Sequence, residues 1–356
     1  MKTRSAIAFS PSAPLEIHEV DLAEPASGEV LVQMRACGIC RSDLSALEGK
    51  ETVEFPVVLG HEGAGVVSSV GDGVAKAKVG DEVVLSWTPA CGLCAGCLRG
   101  EVHLCDKVNM TTGSQGPLSR NGRALDRFMG LGAFSEHVVV PEAMAIPIQS
   151  DLPPTHACLI GCGVTTGFGA AVNTAAIRWG ESVVVLGCGG VGLAAIQGAR
   201  IAGAARIIAI DPIERRRKAA MHIGATQVMA PEGAVKNILR ATGGVDVAIE
   251  CVGTPATMVD AFNVTRAGGR SIIVGLPAYT DMLELPAILL LREKSIKGSI
   301  YGSANPQVDF QKIATLADTG ALLLEPLVDK TRHFTEINEG FAEMREGSLT
   351  RVVLTF

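Results

Sequence analysis

The sequence predicts an α/β protein in which a mostly β domain precedes a doubly wound parallel sheet. Short β-like runs punctuated by glycine turns fill about the first 160 residues, and apolar strands alternate with helical segments after about residue 164. A chain of 356 residues is long enough for two domains, each with its own core. We place the β domain at 1–163, completed by 302–356, and the parallel-sheet domain at 164–301.

Individual strands follow from local patterns. Segments 29–34 and 65–70 are apolar runs next to glycine turns, which predicts a largely antiparallel first domain. The predicted parallel strands are 182–186, 206–211, 245–250 and 269–274. The last 50 residues return to mixed patterning and close on the strand-like segment 351–356. The longest apolar stretch, 283–291, includes a glutamate and a proline and is predicted to be a buried segment.

Composition excludes several classes of partner. With 47% hydrophobic residues, 19% charged residues and a net charge of −6, the chain gives no reason to expect nucleic acid or an anionic membrane surface. The first residues lack the apolar core of a signal peptide, and no run of about 18 apolar residues suggests a membrane span. Ten cysteines without a signal peptide indicate a reducing compartment, so we expect a cytoplasmic protein.

Four cysteines, Cys91, Cys94, Cys97 and Cys105, lie in one short segment with the spacing C-x2-C-x2-C-x7-C. This spacing favours a tetrahedral zinc ion held by four thiolates, which is a closed, structural site. Ferredoxin clusters share the first part of the pattern, but their fourth cysteine follows after three residues and precedes proline. A disulfide is disfavoured because nothing indicates secretion. A closed site performs no chemistry, so function must depend on other residues.

A glycine-rich loop, 187–192, lies between a predicted strand and a predicted helix, as a dinucleotide-binding fingerprint requires. Gly187 permits the tight turn and Gly189 lets a pyrophosphate approach the backbone. Gly192 brings the helix against the strand, and the phosphate charge would lie at the helix N-terminus.

The next predicted strand ends in Asp211, at the position of the acid that binds the cofactor ribose. A carboxylate there can accept both ribose hydroxyls and would repel a 2′-phosphate, so it favours NAD over NADP. Three arginines follow at 215–217, and one of them, for which we choose Arg216, could flank the adenosine or tolerate a phosphate. The alternative interpretation is a simple glycine turn followed by a surface acid.

Three further glycine-rich segments contain potential metal ligands, at 37–43, 60–65 and 161–167. Spacing alone does not show that they converge. Taken singly, each cysteine is more often an inert buried thiol, and His61 is more often a hydrogen-bonded core histidine.

Motifs along the whole chain resemble those of the zinc-dependent medium-chain alcohol dehydrogenases. In family order they are CGICRSD, GHEGAG, the four-cysteine segment, GCGVTTG, GCGGVG with its aspartate, ECVG and RVVLTF. The chain looks most like the liver and glutathione-linked members, which carry a long four-cysteine lobe. The resemblance implies a GroES-like catalytic domain, a Rossmann coenzyme domain, two zinc ions per chain (one catalytic, one structural) and NAD.

The resemblance also implies the catalytic site. Cys40, His61 and Cys162 match the catalytic zinc ligands, which leave one position for water or substrate. Asp43 matches the carboxylate that orients the ligand histidine, and Glu62 matches a glutamate that can approach the zinc during ligand exchange. Zinc in such a site lowers the pKa of a bound alcohol, and the alkoxide then passes hydride to the nicotinamide.

Several other roles come from the same resemblance. Ser42 matches the hydroxyl that takes the alcohol proton and passes it to the cofactor ribose. Liver relatives end this relay on a histidine where this chain has Ser45, so the proton could leave through Ser45, water or another base. Thr166 matches a residue beside the nicotinamide and is counted with the catalytic residues. The implied cofactor contacts are Arg41, Thr166, Gly187, Gly189, Gly190, Val191, Gly192, Asp211, Arg216, Val274 and Arg351.

The implied substrate pocket is apolar. Its residues are Trp87, Phe128, Met129 and Leu276, although an aromatic side chain near a zinc lobe is more often core than pocket. Such a pocket suits hydrophobic aliphatic, aromatic or allylic primary alcohols better than sugar polyols. Glutathione-linked relatives need an arginine just beyond the last lobe cysteine, where this chain reads Asp106-Lys107-Val108-Asn109. Oxidation of a thiol adduct such as S-hydroxymethylglutathione is therefore disfavoured, but the presence of Lys107 and Glu51 means that this activity is not excluded.

The sequence thus leaves three hypotheses. The first is an NAD-dependent alcohol dehydrogenase, the second a thiol-adduct formaldehyde dehydrogenase, and the third a zinc-stabilised nucleotide-binding protein without turnover. Two subunits of the relatives associate through the edge of the nucleotide-binding sheet. We expect the strand 271–275 and the apolar stretch after it to form that interface here. We expect a homodimer, with a tetramer as the alternative. The other four cysteines, expected to be buried thiols, are Cys37, Cys158, Cys188 and Cys251.

Overall fold

The computed structural model describes residues 1–51, 53–108, 116–347 and 349–356. The chain divides into two compact units, one made of residues 1–162 with 305–356 and the other of residues 163–304. The predicted boundaries fall after residues 163 and 301, and the observed ones fall after Cys162 and Ala304. The second unit is therefore continuous in sequence, whereas the first is built from both ends of this sequence.

The strands of the described residues are numbered in chain order. In the first unit, β1 to β11 are Lys2–Ala8, Glu16–Leu22, Glu29–Ile39, Val57–Val58, Glu62–Val70, Glu82–Leu85, Leu118–Arg120, Arg123–Ala124, Asp126–Arg127, His137–Pro141 and Ala145–Pro147. In the second unit, β12 to β17 are Ser182–Leu186, Arg206–Ile210, Gln227–Met229, Val245–Glu250, Thr265–Ile273 and Ser295–Gly298. The first unit is completed by β18, Lys330–His333, and β19, Val352–Thr355.

The helices are numbered in the same way. The helices in residues 1–162 of the first unit are α1 to α3, at Arg41–Leu47, Ala95–Leu98 and Pro154–Ala157. Those of the second unit are α4 to α8, at Gly163–Gly169, Gly190–Ile201, Glu214–Ile223, Ala234–Thr242 and Pro255–Val264, and the first unit resumes with α9, Pro306–Asp318, and α10, Ile337–Arg345. Among the described residues no single helix is long and apolar enough to cross a membrane, and one bent pair, 154–161 with 163–174, passes by length and composition alone.

In the described part of the first unit the strands form two β-sheets. Their strand orders are β8-β7-β2-β1-β4-β9 and β11-β6-β5-β3-β19-β18, with β10 also pairing with β3. Pairing is antiparallel except between β4 and β9 and between β18 and β19. One edge of β3 pairs with β10 at residues 29–33 and with β19 at residues 36–39, while the other edge pairs with β5. The strand ends directly before Cys40, so pairing with β5 on one edge and with β19 on the other holds that residue in place.

The second unit contains a fully parallel sheet with the strand order β14-β13-β12-β15-β16-β17. Renumbered from its first strand, this is the order 3-2-1-4-5-6 of the doubly wound dinucleotide-binding fold. The central strand β12 pairs with β13 and β15, and its apolar residues 183–186 are buried, as is typical of a parallel sheet covered on both faces. The predicted fold class is confirmed, and the reversal of strand order places a binding crevice at the carboxyl end of β12.

Two detailed expectations about the second unit are wrong. The strand expected at the sheet edge, 271–275, overlaps β16, which lies between β15 and β17, so the edge is formed by β17. The apolar stretch 283–291 is exposed rather than buried, with Ile288 at 67% and Leu291 at 81% exposure. Apolar composition does not distinguish a segment buried within one chain from a segment that another chain would cover.

Candidate functional site

The four-cysteine segment forms a compact sulfur cluster in the first unit. The Sγ atoms of Cys91, Cys94, Cys97 and Cys105 all lie within 4.8 Å of one another. Cys94 caps α2, and its Sγ accepts the backbone N–H groups of Cys97 and Asp106, each at 3.5 Å. These hydrogen bonds lower the pKa of Cys94 to about 6, whereas burial raises that of Cys97 to about 12. Four sulfur donors in this arrangement fit a tetrahedral zinc ion.

A second cluster brings together three segments that are distant in sequence. Ligand atoms of Cys40, His61, Glu62 and Cys162 all lie within 4.8 Å of one another. Cys40 follows β3 and is the N-cap of α1, His61 directly precedes β5, and Cys162 follows a short 3-10 turn. The three predicted zinc ligands are therefore adjacent in space, with a carboxylate as a neighbouring fourth group.

Asp43 positions this cluster through both of its oxygens. Oδ1 accepts hydrogen bonds from His61 Nδ1 and from the Gly60 N–H, each at 3.0 Å, and Oδ2 accepts the Cys40 N–H at 2.9 Å. His61 Nε2 is buried and has no hydrogen-bond partner among the described residues. A buried polar atom without a partner is costly, and a zinc ion held by the two thiols would satisfy it. The residues therefore fit a zinc ion, with Asp43 in the orienting position expected for it.

Glu62 is held by an ion pair that the sequence analysis missed. Its Oε2 lies 3.1 Å from Arg351 Nη1, and both side chains are buried. Arg351 Nη1 also donates to the Ile39 carbonyl at 3.0 Å. Burial raises the pKa of Glu62 to about 7, and the Arg351 charge opposes this rise. A side chain in place of Gly38 would overlap the Glu62 carboxylate. The glycine of the CGIC motif was therefore the one sequence signal that another group packs closely against this strand.

The predicted substrate-pocket residues fall in both units. Phe128 packs edge-on against His61, with ring centroids 5.6 Å apart and an interplanar angle of 74°. Trp87, Phe128 and Met129 are all buried in the first unit. Leu276 belongs to the second unit and is half exposed. The structure therefore places one aromatic ring of the predicted pocket directly beside a predicted zinc ligand.

Three further predicted residues, Arg41, Ser42 and Ser45, lie on α1, the helix whose N-cap is Cys40. Ser42 Oγ lies 3.9 Å from Cys40 Sγ, and Ser45 is half-buried three residues further along α1. Arg41 is the first residue of α1 and is exposed to solvent. A hydroxyl therefore lies beside the Cys40 thiol of the second cluster.

The glycine-rich loop joins β12 to α5 in the second unit. Gly187 has a φ of 89°, which other residues rarely adopt, and a Cβ at Gly192 would overlap the Gly187 carbonyl oxygen. A Cβ at Gly189, by contrast, would have no atom within 4 Å. The first and last glycines are therefore required by the turn itself, and the middle one leaves the backbone open to a ligand.

Asp211 follows β13 and is bonded to this loop. Its Oδ2 accepts the Cys188 N–H and its Oδ1 accepts the Ile213 N–H, each at 2.8 Å. Arg217 Nη1 donates to the carbonyls of Asp211 and Pro212, at 2.7 and 2.8 Å. The aspartate is thus fixed against the predicted phosphate-binding turn, while the predicted Arg216 is half-buried on α6.

The remaining predicted cofactor residues also lie in the second unit. Thr166 on α4, Gly190 and Val191 on α5, and Val274 after β16 are all half-buried. The Val274 N–H donates to the Glu250 carbonyl at 2.8 Å, which joins the ends of β15 and β16. The buried Glu250 side chain, which sequence reasoning did not single out, accepts the N–H groups of residues 252 and 253 at 2.8 Å. The ECVG motif therefore shapes the loop at this end of the sheet.

Two family models match the chain. The model for the alcohol dehydrogenase GroES-like domain matches residues 26–150, and the model for zinc-binding dehydrogenases matches residues 190–319. The chain is 39% identical to the NDMA-dependent alcohol dehydrogenase of Amycolatopsis methanolica over 99% of both chains. It belongs to the zinc-dependent medium-chain alcohol dehydrogenases. This dehydrogenase is also 39% identical, over the full length of both chains, to the S-(hydroxymethyl)glutathione dehydrogenase of Escherichia coli O1:K1 / APEC.

A solved structure extends the comparison to the fold of the dehydrogenase. The benzyl alcohol dehydrogenase from Acinetobacter calcoaceticus superposes with a TM-score of 0.95 at 29% identity, covering 100% of this chain and 99% of that chain. Together the comparisons confirm the predicted family and fold class. The chain is therefore an oxidoreductase of the alcohol dehydrogenase type.

Proposed function

We propose that this dehydrogenase transfers hydride between NAD and a hydrophobic primary alcohol or its aldehyde. The main support for the proposal is the cluster of Cys40, His61 and Cys162, in which the buried His61 Nε2 lacks a partner among the described residues. A zinc ion held there supplies a Lewis acid that polarises the oxygen of the alcohol or aldehyde.

The chain's own residues support a site with one open position. Asp43 holds the His61 ring through Nδ1, which leaves Nε2 as the ligand atom. Arg351 holds the Glu62 carboxylate in an ion pair, so this fourth group has another partner. Ser42, 3.9 Å from Cys40 Sγ, is the hydroxyl that we propose takes the alcohol proton.

Substrate class and cofactor rest on two further features. The buried Phe128 ring beside His61 offers an apolar wall, and the solved relative named benzyl alcohol dehydrogenase supports aromatic alcohols as candidates. The Asp211 carboxylate at the glycine loop supports NAD, because it would repel the 2′-phosphate of NADP. Arg41 and Arg351 are proposed to bind the pyrophosphate.

The test is NADH formation with zinc-loaded protein, NAD and a panel of aliphatic and aromatic primary alcohols. Cys40→Ala should abolish turnover and lower the zinc content from two ions per chain to one, while circular dichroism shows a folded chain. With NADP in place of NAD, kcat/KM should fall. If no alcohol in a broad panel is oxidised, hydrophobic primary alcohols are the wrong substrate class.

A second candidate is oxidation of a thiol adduct of formaldehyde, which the identity to the Escherichia coli S-(hydroxymethyl)glutathione dehydrogenase favours. Lys107 is exposed just beyond the sulfur cluster, and Glu51 is half-buried, with its pKa raised by burial. Asn109, the last of the four residues compared with the glutathione-linked pattern, lies outside the described residues. Formaldehyde oxidation that requires added glutathione and is weakened by Lys107→Glu would establish this activity.

Zinc analysis separates both enzymes from a non-catalytic nucleotide-binding protein. Two zinc ions per chain support catalysis, whereas one ion confined to the four-cysteine cluster would support a purely structural role. We further propose that the protein acts in the cytoplasm on small molecules, without nucleic acid or membrane partners, as its charge and thiol content suggest.

A further inference from the structure

A cleft of about 680 Å³ opens in the second unit, and its lining includes none of the predicted cofactor residues. It is formed by α7, the end of α8, the start of β16 and the segment that ends at Lys294. Its volume lies in the range of sites that hold small molecules. The predicted activity makes no use of this cleft.

The charge of the lining is strongly unbalanced. Its cationic residues are Lys236, Arg266, Arg292 and Lys294, against the single carboxylate of Asp260. Arg266 is neutralised by Asp246 at 2.7 Å. The other three cations form no ion pair with any carboxylate of the described residues. A surplus of positive charge therefore collects in one cleft of a chain whose net charge is −6.

Of the three cations without an ion pair in the described part of the chain, Lys294 is the one that is largely buried, whereas Lys236 and Arg292 are exposed. Only 8% of Lys294 is exposed, and its Nζ donates to the Asn263 carbonyl at 3.2 Å and lies 5.0 Å from the centre of the Phe262 ring. Burial and the charge of Arg292 both lower its pKa. Its ammonium group has a carbonyl and an aromatic ring as partners but no carboxylate among the described residues, so an anion bound in the cleft would be attracted to it.

We propose that this cleft binds a small phosphorylated molecule with at least two negative charges. The Arg292 guanidinium can bind a phosphate through two parallel hydrogen bonds, and Lys236 and Lys294 add point charges. The first residues of the nine-residue helix α7 also line the cleft, so its N-terminal backbone dipole has the matching sign. The inference does not depend on the proposed alcohol chemistry, because the cleft shares no residue with either predicted site.

Calorimetric titration with inorganic pyrophosphate tests the proposal on protein saturated with NADH, so that the dinucleotide site is already filled. The variants are Lys236→Gln, Arg292→Gln and their combination, all at exposed residues. The matched control is Arg240→Gln, an exposed arginine of the same helix α7 that does not line the cleft. Unfolding midpoints without ligand, compared across the set, show that every variant is folded.

We expect one pyrophosphate per chain to bind the wild type and Arg240→Gln equally. Each removed cleft cation should weaken binding by about tenfold, as loss of one charged hydrogen bond does. No binding to the NADH-saturated wild type would overturn the proposal, as would equal weakening by Arg240→Gln. A change of molecular mass in the double variant without pyrophosphate binding would also overturn it, because the cations would then face a second copy of the chain.

Discussion

Asp43 links three groups of the metal cluster: the His61 ring, the Gly60 amide and the Cys40 amide. The same side chain caps α1, so helix formation and ligand orientation depend on one carboxylate. Gly60 reaches Asp43 because its φ is 95°, and a Cβ there would collide with Phe134. A single residue therefore fixes where the first two zinc ligands point.

Replacing Asp43 by Asn should weaken the catalytic zinc site, because an amide nitrogen would face one of the three donors that the carboxylate now accepts. Zinc affinity or kcat/KM should fall by about 10- to 100-fold, as for other groups that orient metal ligands. Metal analysis and steady-state kinetics measure both effects. Asp72→Asn, on an exposed turn of the same unit, is the control and should change neither. Full zinc content and activity in Asp43→Asn would contradict the assigned role.

Residue types and motifs were enough to nominate Cys40, His61 and Cys162, because each lies in a short glycine-rich segment that can be compared with a family. The pairing of Glu62 with Arg351 could not be predicted in the same way. Arg351 directly precedes β19 and Glu62 begins β5, and the two side chains meet because both strands pair with β3. The sequence analysis therefore assigned Arg351 to the cofactor alone.

The turn from β12 into α5 shows, at the scale of one element, how three glycines serve different purposes. Gly192 packs so closely on Gly187 that no side chain fits, whereas space around Gly189 is empty. Gly192 is therefore needed for the packing of helix against strand within the protein. The absence of a side chain at Gly189 matters only for a ligand that approaches the backbone there.

Alanine substitutions should separate these two roles. Gly192→Ala should destabilise the protein by about 1–3 kcal/mol, because the added methyl group forces the helix away from the turn. Gly189→Ala should leave stability nearly unchanged and weaken NADH binding, since its methyl group would occupy the space left for the pyrophosphate. Urea unfolding and NADH fluorescence titration measure the two effects. If Gly189→Ala destabilised the protein and left NADH binding unchanged, the loop would not bind the cofactor through Gly189.

Strands of the parallel sheet were predictable because continuous apolar runs between glycine turns are typical of strands buried on both faces. Strand β3 was predicted only as far as residue 34, yet it extends to Ile39. Its last residues, Ala36-Cys37-Gly38, have low strand propensity, and their conformation depends on pairing with β5 and β19. The local hydrophobic pattern therefore predicted the strands whose own residues are strongly apolar. It did not predict the part of β3 whose conformation depends on pairing with strands distant in sequence.

For the whole molecule, the exposed apolar segment beside the edge strand β17 supports the proposed homodimer. Ile288 and Leu291 are 67% and 81% exposed in the single chain, and β17 has no neighbour on its outer edge among the described strands. Exposed apolar side chains next to an unpaired strand edge are typical of an interface with another copy.

A charge placed on this segment should therefore dissociate the proposed dimer. We expect Leu291→Glu to be monomeric by light scattering at concentrations where the wild type is dimeric, because a carboxylate would be buried without a partner. The matched control is Leu93→Glu in the sulfur-cluster lobe, where the leucine is also 81% exposed. A monomeric wild type, or the same loss of mass in both variants, would contradict the proposed interface.

The placement of β19 beside β3 has a consequence for how the protein is made. A ribosome completes residues 163–304 before it produces β19, so the nucleotide-binding unit is available to fold while the metal-binding sheet still lacks a strand. Until β19 emerges, residues 36–39 of β3 present an unpaired edge directly before the Cys40 thiol. Chaperones that shield open strand edges should therefore meet the nascent chain at this place, and zinc should enter the catalytic cluster late in biogenesis.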